Sequence, residues 1–589
     1  MTINSLPPAL VFVAGAVLLL LLPRRVRSTW FLITALAAFA LLFRLQAGDS
    51  LTVPFLDHQL MPLRVDRLSL AFGYVFAIMA FLGGIYGFHL KDSGQQVAAL
   101  LYAGGALGVV FAGDLFSLFV FWEIMTAGSV WLIWARRTPQ SLGAGMRYLI
   151  MHLFGSAALL AGIMLQYSGT GSIAFNHLEG GTASYLILLG FAVNAAIPPL
   201  HAWLSDAYPE GTVTGSVFLS AFTTKVAVYT LARGFAGMEV LIWAGVMMAI
   251  YGVIFALLEN DIRRLLAYEI ISQVGYMVAA IGLGTEMAIN GATAHAFAHV
   301  LYKGLLFMGC GTVLYATGRS KLTELGGLAR AMPLALGLYM VGALSISGVP
   351  LLSGFFSKSM VVSAAQASNA GLVALLLNVA SVGTFVLAGL RLPYFTWFGP
   401  DRGLKPAAVP KNMYLAMALT AAICLAIGVY PALLYNLLPF AVDYQPYTAP
   451  HVLEALEFVV FAGLGFWLLK GKLGGRATIT LDTDWFYRRP ARLAYRVFVV
   501  AISLAFAAAD RLTVRLARFV VKFSDNPYGY IIMAQRFATH AFFGNTRLIR
   551  EPSYFKPSRY RITLGVMVLL VLLVFIVLFI VQIYHVGLR

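Results

Sequence analysis

Charge and sulfur are what this 589-residue sequence has least of. Only 11% of its residues are charged, and it holds two cysteines, Cys310 and Cys424. Both lie inside apolar stretches, which excludes a disulfide framework and any cysteine-ligated metal or iron–sulfur centre. No cofactor and no metal site is expected in the chain. Acidic residues are scarcer than basic ones, 24 against 41, for a net charge of +17. That excess does not point to nucleic acid, because the Lys and Arg are scattered over many short loops and one C-terminal stretch, as positive-inside topology requires. The remainder is apolar: 60% hydrophobic residues and a mean hydropathy of +0.84 exclude a soluble globule and describe a polytopic membrane protein.

Apolar windows of membrane-spanning length predict helices near 8–22, 29–44, 68–89, 97–113, 115–134, 147–167, 184–204, 211–234, 238–258, 265–283, 290–317, 333–358, 370–398, 412–438, 452–470 and 563–584, about 16 in all. The first stretch lacks a basic start and a small-residue cleavage pattern, so it reads as a span and not as a signal peptide. Arg24/Arg25/Arg27, Lys91, Arg136/Arg137, Arg263/Arg264, Arg319/Lys321/Arg330, Arg402/Lys405/Lys411 and Lys470/Lys472 fall on one side. The opposite loops 168–183, 284–289, 359–369 and 439–451 contain no Lys or Arg, with Arg64, Arg67 and Arg233 as exceptions. The basic side is therefore read as cytoplasmic and both termini as facing outward, in a bacterial or archaeal cytoplasmic membrane.

Two of these helices carry proline breaks, 184–204 (AVNAAIPPLHAWL) and 333–358 (ALSISGVPLLSGFFSK). An unwound turn at mid-membrane depth frees backbone groups that only a polar cavity can satisfy, so paired breaks point to an ion pathway. Ionisable residues inside the spans point the same way, since each is costly in lipid and turns to a hydrated interior or a partner. Glu123 and Lys225 lie mid-helix, and Lys358 follows the second break. His295, His299 and Lys303 step by four along AHAFAHVLYKGLLF, on one stripe of one helix. Such a row passes protons by small electrostatic displacements. Arg391 and the Asp261/Arg263/Arg264 group read as boundary anchors, and Asp66 and Asp114 as structural boundary carboxylates.

The stretch 473–562 departs from membrane composition. A 13-residue apolar run, Val497–Ala509, is too short to span. Arg488, Arg489, Arg492, Arg496, Arg511, Arg515, Arg518 and Lys522 recur near helical spacing beside aromatics. An amphipathic helix over about 485–545, lying on the cytoplasmic face against anionic lipids and a neighbouring subunit, is expected, followed by an anchor helix.

The motifs AGDLFSLFVFWE, PLHAWLSDAYPE, TTKVAVYTLAR, DIRRLLAYEIISQVGYM, HAFAHVLYKGLLF and GVPLLSGFFSK, in this order, resemble the antiporter-like subunits shared by respiratory complex I and Mrp-type multisubunit sodium/proton antiporters, above all the Mrp D-type subunit. The resemblance covers residues 60–440; the C-terminal segment also resembles the lateral helix of the longest complex I antiporter-like subunit. It implies an all-α fold with two inverted five-helix repeats, each with one broken helix and a half-channel. The segments are then 1–95 (N-terminal helices), 96–235 and 236–400 (the repeats), 401–472 (further core helices), 473–562 (amphipathic helix) and 563–589 (anchor). Residue by residue, the family's proton relay falls on Glu123, Lys225, His295, His299, Lys303 and Lys358. One position departs: the family's lysine on the first broken helix falls on Asn194, which leaves Glu123 to pair with Lys225 or to stay protonated.

The expected function is a proton-translocating subunit of a larger membrane assembly, with exchange against sodium as one form of the activity. Alternatives are a subunit coupled to a partner module, of quinone- or hydrogenase-type redox chemistry or of CO2 hydration, and a mainly structural subunit.

Overall fold

The computed structural model describes residues 6–56, 58–476, 482–543 and 564–586. Contacts divide the chain into two compact units, Met1–Thr483 and Asp484–Arg589.

The first unit opens with α1 (Pro8–Leu21), α2 (Arg27–Leu42) and α3 (Arg67–Tyr86). Between α2 and α3 stands an antiparallel hairpin, β1 (Ser50–Phe55) and β2 (His58–Arg64), an element that the helical reading of the sequence does not contain. Two repeats follow. The first is α4 (Ser93–Phe111), α5 (Leu115–Trp134), α6 (Pro139–Thr170), the broken pair α7 (Thr182–Ala195) and α8 (Ala202–Ala207), and then α9 (Gly215–Ala221) with α10 (Thr223–Gly234). The second is α11 (Glu239–Leu258), α12 (Ile262–Leu283), α13 (Glu286–Thr317), the broken pair α14 (Pro333–Ile346) and α15 (Ser353–Ala367), and α16 (Gly371–Thr384). The helix of α16 continues through π-helical turns at Phe385–Arg391 and Tyr394–Phe398. The unit closes with α17 (Lys411–Val429), α18 (Ala432–Tyr435) and α19 (Ala449–Leu469).

Local chemistry sets the helix starts. Asp66, Asp92, Asp114, Thr138, Asp261 and Thr285 each accept a hydrogen bond from a first-turn amide of the helix they precede, which satisfies donors that the helix itself leaves free. Asp66 also pairs with Arg233, so one of the basic residues that breaks the charge asymmetry is neutralised locally. Arg263 donates to the Gly211 and Thr212 carbonyls, and Arg391 to those of Ala256, Glu259 and Leu473. Both bind helix ends and loops together, as the anchor reading expects.

Each of the 16 predicted segments is occupied by a helix or a broken pair. Among the described residues, 13 helices are long and apolar enough to cross a membrane; α1, α2, α7 and α14 are apolar but shorter. The chain is a multi-pass membrane protein. α13 is buried almost along its whole length and packs on helices of both repeats.

In the second unit, a continuous helix runs over Asp484–Asp525, made of α20 (Asp484–Ala494), a π-helical segment (Tyr495–Ala501) and α21 (Ile502–Asp525). α22 (Pro527–Phe543) follows as a separate helix and α23 (Leu564–Val586) ends the described chain. The sequence reading places one helix over 485–545; the structure interrupts it at Asn526. Pro527 lacks an amide donor and disfavours helical geometry in the residue before it. Arg511, Arg515, Arg518 and Lys522 remain at helical spacing on α21. Residues 477–481 and 544–562 of the expected amphipathic segment lie outside the described residues.

Candidate ion-translocation site

The two breaks sit at matching points. α7 and α14 are both 14 residues long, and each ends in left-handed backbone: Ala196 (φ 58°) after α7, Gly348 (φ 76°) and Leu351 (φ 71°) after α14. A side chain at φ > 0 is strained, and such positions persist where the surroundings over-determine them. The first break also contains a cis Pro198–Pro199 bond. At the second, a Cβ on Gly354 would collide with the Ser345 carbonyl oxygen, so only glycine lets α15 start this close to α14.

Beside the second break the polar side chains form a connected row. Lys303, wholly buried on α13, pairs with the equally buried Glu269 of α12 at 3.1 Å. His299 lies one turn away, with both ring nitrogens buried and without a protein partner. His295 follows, its Nδ1 3.1 Å from Ser357 Oγ and its Nε2 3.4 Å from Tyr302 OH. Lys358 donates to Ser381 at 3.3 Å and lies over the Tyr276 ring at 5.2 Å. A cavity of about 70 Å³ reaches Lys358, lined also by Ser363, Asn378, His451 and Glu454, and it has room for several water molecules.

Lys225 is also wholly buried. It donates to the Ser220 carbonyl at 2.7 Å and to Thr224 Oγ1 at 3.0 Å. The structure therefore does not pair it with Glu123, as the sequence reading allows. Glu123 is half-buried on α5, near Ser156 of α6, and its Oε1 is buried without a protein partner. All three relay lysines are buried and none reaches the lipid-facing surface.

A second cluster closes the first break. The connector after α19 inserts Asp482, whose buried carboxylate is 3.2 Å from His201 Nε2 and accepts from the hydroxyls of Tyr251 and Tyr268. Thr483 donates to the Pro199 carbonyl at 3.3 Å. Burial pushes the Asp482 carboxyl up, but the bonds and charge of His201, with the two tyrosine hydroxyls, outweigh it and hold the group well below the usual carboxylate range.

Comparison with known proteins agrees with this arrangement. The family described as NADH:quinone oxidoreductase/Mrp antiporter, TM, matches residues 112–384. An uncharacterized protein of Methanocaldococcus jannaschii is 32% identical over 59% of this chain and 77% of its own length. The chain belongs to this antiporter-like subunit family. The D-type subunit of the Na(+)/H(+) antiporter of Alkalihalophilus pseudofirmus, another relative, is 33% identical over 44% of this chain and 57% of its own length. Among solved structures, a chain of the membrane-bound sulfane sulfur reductase, an archaeal respiratory membrane complex, superposes with a TM-score of 0.66 at 25% identity, covering 77% of this chain and 97% of that one.

Three groups in this antiporter-like chain escape the sequence reading. Glu269, inside LLAYEIISQ, obeys the rule that singled out Glu123 and is visible by it. His152, inside MHLFGSA, is a mid-helix histidine of the same kind as His299. Asp482 has no signal, because a carboxylate in a polar connector is ordinary until folding buries it.

Proposed function

We propose that this chain is a proton-translocating subunit of a multisubunit membrane assembly, in which Glu123, Lys225, His299, His295, Lys303 and Lys358, together with Glu269, carry the relay. The observation that supports it most is the row on α13 and α15. A buried ion pair, two histidines and a lysine beside a hydrated cavity lie along one path between two helix breaks. A lysine in a low-dielectric interior exchanges its proton readily, and histidine titrates near neutrality. Movement of charge in the Lys303–Glu269 pair alters the field at His299, His295 and then Lys358. In this reading the basic loops are cytoplasmic, both termini face outward, and the Arg-bearing helix of the second unit contacts a neighbouring subunit and anionic lipid.

The test is proton movement in proteoliposomes containing the purified assembly, with an artificial sodium gradient and without one. Lys358→Ala and His299→Ala are expected to abolish transport while the chain stays in the membrane. Transport at the wild-type rate in both would make these residues structural.

A second reading, in which the same channel is driven by a redox partner, draws on the likeness to a chain of the sulfane sulfur reductase complex. Affinity purification of the native assembly separates the two, since a co-purifying redox-centre subunit favours the second and only small membrane subunits favour the first.

A further inference from the structure

The two repeats lay out their long helices in register. α6 and α13 each have 32 residues and each is capped by a threonine, Thr138 and Thr285. His152 stands 13 residues after Pro139 and His299 stands 13 residues after Glu286 (152 − 139 and 299 − 286). On the same count Tyr148 answers to His295 and Ser156 to Lys303. The stripe His295–His299–Lys303 thus has a counterpart, Tyr148–His152–Ser156, in the half where Asn194 stands at the helix break.

We propose that His152 is the proton carrier of the first half-channel, in the role that Asn194 cannot fill. The proposal rests on the relay reading given above. His152 is fully buried and neither of its ring nitrogens has a protein partner among the described residues. Its ring packs between Tyr148 (centroids 4.0 Å apart) and Trp203 (4.6 Å), which holds it in place without occupying either nitrogen. Asn194 lies beside the imidazole, and both polar atoms of its amide are likewise buried and unpartnered. The same holds for Ser156 Oγ and Glu123 Oε1 on one side, and for His201 Nδ1 on the other, whose Nε2 faces Asp482.

Polar atoms left dry and unpaired are costly, so a contiguous set of them is a wet path, bridged by water. Along such a path His152 accepts a proton at one ring nitrogen and becomes imidazolium. It releases the proton from the other nitrogen toward Glu123 and returns as the neutral tautomer; no other bond is made or broken. A hard cation such as sodium is a poorer occupant, because imidazole nitrogen suits softer metals. The titratable or polar groups facing His152 are Glu123 from α5, Tyr148 and Ser156 from α6, Asn194 from α7 and His201 from the break.

The test uses membrane vesicles that contain the whole assembly, with proton movement followed by a pH-sensitive dye. His152→Gln is expected to lower the rate at least about a hundredfold, and adding Asn194→Lys to it, which restores a cation beside Glu123, to recover most of the loss. His152→Gln at the wild-type rate, with Lys303→Ala inactive, overturns the proposal and leaves the relay reading standing; both at the wild-type rate overturns the relay reading itself. Asn194→Asp, nearly isosteric, keeps the test decisive if His152→Gln fails to reach the membrane. A carboxylate beside the imidazole favours its protonated form, so the pH optimum is expected to rise by about one unit. An unchanged profile overturns the proposal.

Discussion

In the second repeat α13 presents His295, His299 and Lys303 at four-residue steps, and Lys303 is locked to Glu269. In the first, α6 presents Tyr148, His152 and Ser156 at the same steps, and Glu123 faces a hydroxyl where Glu269 faces an ammonium. The backbones are alike, down to two 32-residue helices and two 14-residue half-helices. The difference lies in where the fixed charge sits. The second half holds an ion pair whose members each depend on the other, because a buried charge left alone is strongly destabilising. The first half holds groups that are stable when neutral, and leaves the carboxylate to water. One scaffold thus supports a charged half and a half that becomes charged only when a proton arrives.

The largest effect that separates the halves is expected at Lys303. Lys303→Ala strands Glu269 and should cost roughly 3–5 kcal/mol of stability, whereas Ser156→Ala, its register counterpart, should cost less than about 1 kcal/mol. Adding Glu269→Gln to Lys303→Ala should return most of the stability without returning transport. Thermal melts of the purified assembly and vesicle transport check both arms; equal losses at positions 303 and 156 would break the comparison.

Next comes Asp482. Asp482→Asn leaves His201, Tyr251 and Tyr268 with a weaker acceptor, and a loss of about 1–3 kcal/mol is expected, read as faster hydrogen exchange across residues 196–207. The second break has no such acceptor among its described contacts, so exchange over 347–352 should not change. Because the native carboxyl is depressed below its ordinary value of about 3.9, its contribution is complete above that value and is lost only as pH falls through the native one. Exchange at the first break should therefore be flat with respect to this group from about pH 8 to about pH 5; a step in that window would mean that Asp482 is not held by these donors.

Smaller still is Gly354→Ala, which should shift the start of α15 and reduce transport by about tenfold with little loss of protein. Its counterpart by position in the first break, Trp203, should be needed for packing instead, so Trp203→Phe is expected to reduce melting temperature before transport. The smallest effect is expected at the caps. Thr138→Ala and Thr285→Ala should each cost about 1 kcal/mol and leave transport intact. Thr138 should cost more, because its helix start is reinforced by a reciprocal bond from Ser141. Equal and negligible costs would show that helix starts play no part in holding the stripes in register.

Much of the fold was legible in the sequence because membrane helices obey a local rule: an apolar run of sufficient length must satisfy its own backbone. The breaks were legible for the same reason, since proline removes a donor wherever it stands. The hairpin at Ser50–Arg64 was not, because alternating residues in a short loop compete poorly with the strong apolar periodicity around them. The break at Asn526 was missed although Pro527 was in plain view, because the arginine spacing continues on both sides of it.

By itself, then, the sequence determined that the chain crosses a membrane many times, that two helices break, and which buried lysines and histidines stand near those breaks. These follow from residue type and period along one helix. Only the tertiary structure decided who faces whom: Lys303 with Glu269 and not with a neighbour on its own helix, Glu123 with Ser156 and not with Lys225, and Asp482 with His201 some 281 residues away. Electrostatic partnership falls off steeply with distance in a low-dielectric interior, and those distances are set by how helices pack, which no single helix records.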